Sequence, residues 1–171
     1  VSITLSGGHW YACMVCDDVP LRPLPATGES VGVDVGITTF AALSTGEAIE
    51  SPRPYRAAQK KLAKLQRVVS RRKKRSTRRR KAVRVLAGQH ARVARIRQNF
   101  HHCTAKQLVQ RFDSICVEDL NIKGLAGGML AKHVHDAGWA QFIEILSGKA
   151  ACASRELIKV DPRGTSQECS A

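Results

Sequence analysis

Apolar residues alternate along the first part of this chain, recur at helical spacing through its middle and alternate again towards its end. Ser2 to Leu5 and Trp10 to Asp17 read as two strands joined at Ser6-Gly7-Gly8, which predicts a hairpin. Pro20 to Gly28 contains three prolines and reads as a connector. The run Val31-Gly32-Val33-Asp34-Val35-Gly36 predicts the next strand, with Val33 and Val35 on one face and Asp34 on the other. Thr39 to Leu43 predicts a strand, Thr45-Gly46 a tight turn and Ala48-Ile49 a return strand, so three antiparallel strands follow in sequence. Ser51-Pro52-Arg53-Pro54 ends this pattern, and Pro54 can open a helix.

Leu62, Leu65 and Val69 then recur at helical spacing, and Val83, Leu86, Val93, Ile96, Phe100, Leu108 and Phe112 form a second stripe of the same period. Ser76-Thr77 between them offers a turn and an N-cap. The pattern predicts two long helices packed as a hairpin, the second from about Arg78 to Phe112 and about 50 Å long. Ser114 to Leu120 returns to strand, where Ile115 and Val117 share one face and Glu118 shares the other with Cys116. Asp119 points away from Glu118 and reads as structural. After a loop with Gly124, Gly127 and Gly128, a helix is expected over Asp136 to Ala153 and a last strand over Glu156 to Val160.

Three meandering strands, a helical connection, a parallel strand, a helix and one further strand is the order of an RNase H-like α/β domain with a mixed sheet. The long basic hairpin is its insertion. In that architecture the first and fourth strands lie side by side and parallel, about 4.8 Å apart, so Asp34 and Glu118 reach metals held about 4 Å from one another. Such a pair of Mg²⁺ ions could activate a water and stabilise the leaving oxygen of a phosphodiester. Hard oxygen ligands suit Mg²⁺ or Mn²⁺ and not zinc.

Charge sharpens this picture. Residues 53 to 111 hold 21 of the 28 Lys and Arg and none of the 14 acids, which leaves 7 bases against 14 acids elsewhere. So pure a basic segment repels itself unless a polyanion screens it, and nucleic acid is the usual one. The candidate contacts are Lys60, Lys61, Lys64 and Arg67, then Arg71, Arg72, Lys73, Lys74 and Arg75, then Arg78, Arg79, Arg80, Lys81 and Arg84. A membrane surface fits less well, because the segment has no Trp and its cations surround the helices. A solvated coiled coil would mix both signs.

At 171 residues the chain can bury one sizeable core with a small appendage. It has no apolar run long enough to span a bilayer and no charged-then-apolar leader at its start, so a cytoplasmic protein is expected. Val1 in place of Met suggests a start inside a longer gene product. The six cysteines are scattered and argue against a disulfide framework. Cys13 and Cys16 form the only complete CxxC, on a run that reads as a strand and so sends them to opposite faces. His101-His102-Cys103 diverge around a helix and cannot close on one ion, while His133 and His135 flank the glycine-rich loop and suit a phosphate or nothing. Trp139 shares helical spacing with Phe142 and reads as core. Phosphate-loop and Ser/His/Asp signatures are missing from the order of residues.

Four stretches together carry a family likeness: Gly32-Val33-Asp34-Val35-Gly36, Val117-Glu118-Asp119-Leu120-Asn121, Gly138-Trp139, and Val160-Asp161-Pro162-Arg163-Gly164-Thr165-Ser166-Gln167-Glu168-Cys169. They resemble the RuvC-like nuclease domain of TnpB (OrfB-type) insertion-sequence proteins, relatives of the type V CRISPR effectors. The resemblance runs over nearly the whole chain. It implies an RNA-guided DNA endonuclease of a probable transposase family, with guide RNA and target DNA as partners. It makes Asp34 and Glu118 the first two RuvC carboxylates. Residues 1–30 would be the end of a preceding nucleic-acid-binding β domain with its linker, 31–161 the RuvC-like domain with a basic insertion over 55–112, and 162–171 the start of a zinc ribbon.

The family pattern continues past Cys169 through two CxxC pairs to a third catalytic Asp, whereas this chain ends at Ala171. Zn²⁺ on Cys169 is therefore expected in the complete protein only. An RNA-guided DNA-binding or regulatory protein without cleavage, or a decayed remnant, is the alternative to the nuclease.

Overall fold

The computed structural model describes residues 1–17, 20–121 and 131–161, which fall into two compact units. One comprises Val1–Pro20 with Arg53–Asn99, the other Leu21–Pro52 with Phe100–Ala171.

In the first unit β1 (Ser2–Ser6) pairs antiparallel with β2 (His9–Cys13), Ser6 opposite His9. Gly7 and Gly8 between them both have positive φ, as a two-residue hairpin turn requires. A Cβ on Gly7 would stand 2.5 Å from that of Ala91, so the close approach demands glycine as well. The second strand stops at Cys13, short of the Asp17 expected, so alternation along a strand does not govern Cys16; both thiols are free and exposed. Tyr11 Oη accepts a bond from Arg95 Nη1 (3.2 Å), and Ile3, Leu5 and Trp10 share the other, exposed face of the ribbon.

Helix α1 (Pro54–Ser70) opens on proline in its first turn. Helix α2 (Thr77–Arg111) is capped by Ser76, whose Oγ accepts from the Arg79 N–H at 3.2 Å. Leu62 and Val69 of α1 and Val93 of α2 are buried. Val83 and Ile96, expected in the same stripe, are instead 42% and 43% exposed. At about 100° per residue they sit roughly 80° and 60° around the helix from the buried Val93.

In the second unit β3 (Ser30–Val35), β4 (Ala41–Leu43), β5 (Ala48–Ile49), β6 (Ser114–Glu118) and β7 (Glu156–Val160) form a five-stranded mixed sheet of order β5-β4-β3-β6-β7. The first three meander antiparallel, and β3, β6 and β7 run parallel. Between β6 and β7 lie α3 (Ala131–Ala137) and α4 (Trp139–Ala153). The single helix expected over Asp136 to Ala153 is thus two helices, because Gly138 adopts φ +68° and breaks the ladder. Val31, Val33, Ile115 and Val117 pack with Leu108 and Phe112 at the end of α2 and with Phe142 and Leu146 of α4. Phe40 sits among Phe100, His101 and Phe142, its ring centroid 4.8, 5.5 and 4.9 Å from theirs. No helix among the described residues is long and apolar enough to cross a membrane.

Asp113 joins the starts of three strands. Its N–H donates to the Glu29 carbonyl and its own carbonyl accepts from Glu156 N–H, both at 2.8 Å. Its carboxylate accepts from the N–H groups of Thr27 and Gly28 and from the Thr27 hydroxyl, and pairs with Arg155 at 2.5 Å. The buried Arg155 guanidinium also donates to the carbonyls of Val109 (3.0 Å) and Pro25 (2.7 Å). Backbone N–H bonds from Thr27 and Gly28, with smaller help from the Thr27 hydroxyl and Arg155, hold the Asp113 carboxyl below its ordinary range despite partial desolvation. At the surface, Glu47 forms a bidentate pair with Arg111, which likewise lowers the Glu47 carboxyl.

Truncation of the fully enclosed Phe40 to Ala should cost about 3–5 kcal/mol of stability, read from the shift in urea midpoint. Because the folded Asp113 pKa is depressed, its stabilisation is present above the unfolded carboxylate value of 3.8 and is lost as pH falls below it towards the folded value. Asp113→Asn is therefore expected to lower the urea midpoint at pH 7 and to flatten its decline between pH 5 and pH 2, compared with the unmutated chain.

Candidate functional site

The residues around Asp34 form the site from the backbone upward. Gly32 is held on both polar groups by Ser44, whose Oγ accepts from the Gly32 N–H and whose N–H donates to the Gly32 carbonyl, each at 2.9 Å. Gly36 donates its N–H to the Phe40 carbonyl, and a Cβ there would crowd the Thr39 carbonyl at 3.1 Å. Gly36 thus lets the chain turn back tightly after β3, whereas a Cβ on Gly32 would meet Ser44 only in ordinary contact, at 3.6 Å. With Val31 and Val33 buried on one face, Asp34 is exposed on the other.

Strand β6 supplies the second carboxylate by the same alternation, with Ile115 and Val117 buried and Cys116 and Glu118 half-buried. The parallel register pairs Ser30 with Ser114 and Val33 with Val117, so Asp34 and Glu118 follow at equivalent positions on adjacent strands. Both line one open depression of about 350 Å³ with Gly32, Ala42, Ser44 and Cys116, whose small side chains leave room above the sheet. Asp119 donates its N–H to the Val160 carbonyl (2.8 Å) and borders a second depression, which Glu118 also lines, with Ala140, Ile143, Glu144 and Lys159. No group of three or more His, Cys, Asp or Glu residues that could hold a metal occurs among the described residues. Two carboxylates on adjacent strands are, however, a donor set that fits Mg²⁺, which takes one or two protein carboxylates and completes its shell with water and phosphate oxygens.

The cationic candidates lie along α1, α2 and the turn between them. Lys60, Lys61, Lys64 and Arg67 are exposed on α1, Arg71, Arg72, Lys73, Lys74 and Arg75 in the turn, and Arg78, Arg80, Lys81 and Arg84 on α2, with Arg79 half-buried. Arg56, Lys60, Lys64 and Arg67 line a shallow groove along one face of α1 with Gln59 and Ala63. His101 is fully buried, its Nε2 2.8 Å from the Ala137 carbonyl, and belongs to the core. Trp139 is 3% exposed. His133 and His135 are exposed on α3, and Cys169 lies outside the described residues. Sequence reasoning passed over Arg22, Lys106 and Lys149, isolated cations that only the tertiary fold brings to one groove.

The fold is shared with a Cas12f1 chain solved by cryo-EM in a Cas12f1-sgRNA-target DNA complex, at TM-score 0.55 and 15% identity over 87% of this chain and 40% of that one. The chain belongs to the OrfB_IS605 family, described as "Probable transposase", which matches residues 12–128, and the TnpB likeness of its motifs agrees. A Cas12f1-like TNB domain matches residues 139–171. Two curated relatives carry the name "Putative RNA-guided DNA endonuclease": one from Streptomyces pristinaespiralis, 40% identical over 90% of this chain, and InsQ from Escherichia coli strain K12, 29% identical over 99%. The chain spans 38% and 46% of their respective lengths.

Asp34 and Glu118 point into an open depression and bring like charges together, so neither should be needed for folding. Asp34→Asn is expected to leave the urea midpoint at pH 7 unchanged or to raise it. A clear fall would mean that the carboxylate is a structural element of the sheet.

Proposed function

We propose that this chain forms the RuvC-like, RNase H-type part of an RNA-guided DNA endonuclease, with the basic hairpin as an insertion that grips nucleic acid. The observation that carries the reading is the placement of Asp34 and Glu118 at equivalent positions of adjacent parallel strands, in one open depression. The names of its two curated relatives support the substrate class. Asp34 and Glu118 would hold Mg²⁺ or Mn²⁺, which when bound polarises a phosphodiester and makes water a better nucleophile. Gly32 and Ala42 keep the space beside the carboxylates free for a strand of DNA. The cations of α1 and α2 supply the long-range attraction, with guide RNA and target DNA as their partners. In this reading residues 1–30 close a preceding β domain, residues 162–171 begin a zinc ribbon, and Cys169 is one zinc ligand in the complete protein.

In full-length protein loaded with its guide RNA, Asp34→Ala should keep guided DNA binding and abolish Mg²⁺-dependent cutting. Undiminished cutting would remove Asp34 from the chemistry, and an unmutated protein that binds without cutting would favour the regulatory alternative. Nucleic-acid affinity should also fall by about 10³-fold or more between 50 and 200 mM salt if six or more phosphates are contacted, measured by fluorescence anisotropy.

A further inference from the structure

Strand register arranges more of the open face than the two carboxylates. Alternation and pairing there set side chains in rows that cross the strands. Ala42, Asp34, Glu118 and Val160 make one row. Ser44, Gly32, Cys116 and Ile158 make the next. It lies two residues earlier on β3, β6 and β7, a step of about 6.6 Å at the rise of a parallel strand. Ser44, Gly32 and Cys116 line the depression shared with Asp34 and Glu118, and Ile158 is exposed beside them. This second row carries no charge, and no Lys, Arg, His, Asn, Gln or aromatic residue lines the depression. The one hydroxyl of the row, Ser44 Oγ, already accepts the Gly32 N–H. Gly32 adds an independent observation. Its φ is not positive, and a Cβ built on it makes only ordinary contact with Ser44. The chain's own packing gives no reason for glycine in this strand interior, where it weakens pairing, whereas the close approach of a ligand does.

We propose that this uncharged row seats the sugar of the nucleotide next to the phosphate addressed by Asp34 and Glu118, and that it selects deoxyribose over ribose. The inference rests on the nuclease reading above and names the residues of that site that distinguish DNA. Without a cation in the row a phosphate gains nothing there. Without an amide, a guanidinium or an aromatic ring, a base finds neither an edge partner nor a stacking surface. A sugar ring, whose faces are largely C–H, fits a surface of glycine, thiol and isoleucine. One atom then decides between the two sugars. A 2′-hydroxyl set against Gly32 and Cys116 gives up water and receives in exchange a thiol, a weak hydrogen-bonding group. The 2′-methylene of deoxyribose has no such loss.

The test uses full-length, guide-loaded protein and target DNAs that each carry a single ribonucleotide, stepped one position at a time along the strand that is cut. Cutting in Mg²⁺ is expected to slow about tenfold or more when the ribose adjoins the scissile phosphate on one side, the usual scale for one unpaired hydroxyl. Ribose at positions further away should have little effect. Cys116→Ser, which replaces the thiol by a strong hydrogen-bonding hydroxyl, should lower the penalty to about threefold or less, an effect that damage to the sheet would not give. Gly32→Ala should leave the urea midpoint unchanged or raised and keep guided binding, yet slow cutting of the all-DNA target about tenfold. The half-buried Cys116 thiol supplies a readout independent of cutting. With EDTA present, bound target DNA should slow its maleimide labelling, followed by peptide mass mapping. Equal cutting at every ribose position, an unaltered penalty in Cys116→Ser, full cutting by Gly32→Ala or unchanged Cys116 labelling would each overturn the proposal while leaving the nuclease reading intact. An unmutated protein that binds its target without cutting it would overturn both.

Discussion

The Asp113–Arg155 clasp is the constraint on which the sheet depends. Through backbone and side chain, Asp113 ties together Glu29 at the entry to β3, its own strand β6 and Glu156 at the start of β7. Five residues beyond Glu29 lies Asp34, and five beyond Asp113 lies Glu118. Because parallel strands rise equally per residue, fixing the pair at the base places the carboxylates level at the other end. A slip of one residue would set Glu118 beside a valine and turn every side chain of the strand to the wrong face. The guanidinium at the centre is buried but satisfied, with a carboxylate and two carbonyls around it, which is the condition under which a buried charge holds a structure together.

This arrangement also separates the carboxylate pair from the packed core. The core side of the sheet is closed by aromatic and aliphatic contacts around Phe40, Phe142 and Leu108, while the carboxylate side keeps small residues such as Gly32, Ala42 and Ser44. Tight packing on one face leaves the other free to carry two carboxylates. The buried cluster thus lies on the face of the sheet opposite Asp34.

Much of this was legible in the sequence, and for physical reasons. The period-two alternation of β3 and β6 announced which face each carboxylate takes, and the prolines, glycines and the Ser76 cap marked element ends by chemistry that acts locally. The break at Gly138 was hidden because the apolar positions that announced the helix, Trp139, Phe142, Ile145 and Leu146, all lie beyond it, and spacing does not report a positive φ. Val83 and Ile96 fooled the helical pattern because position on the rim of a stripe differs from its centre by only a fraction of a turn. The clasp and the groove could not be read at all. Thr27, Asp113 and Arg155, like Arg22, Lys106 and Lys149, are unremarkable singly and meet only through contacts between residues far apart in the chain.

A mutational consequence follows from the clasp. Alleles that lose Thr27, Asp113 or Arg155 would retain every residue of the carboxylate motif, so a survey that scores function by inspecting Asp34 and Glu118 would count them as intact. The positions sensitive to one base change are therefore expected to outnumber those in its motifs, and the additional ones cluster at the opposite end of the strands from Asp34 and Glu118.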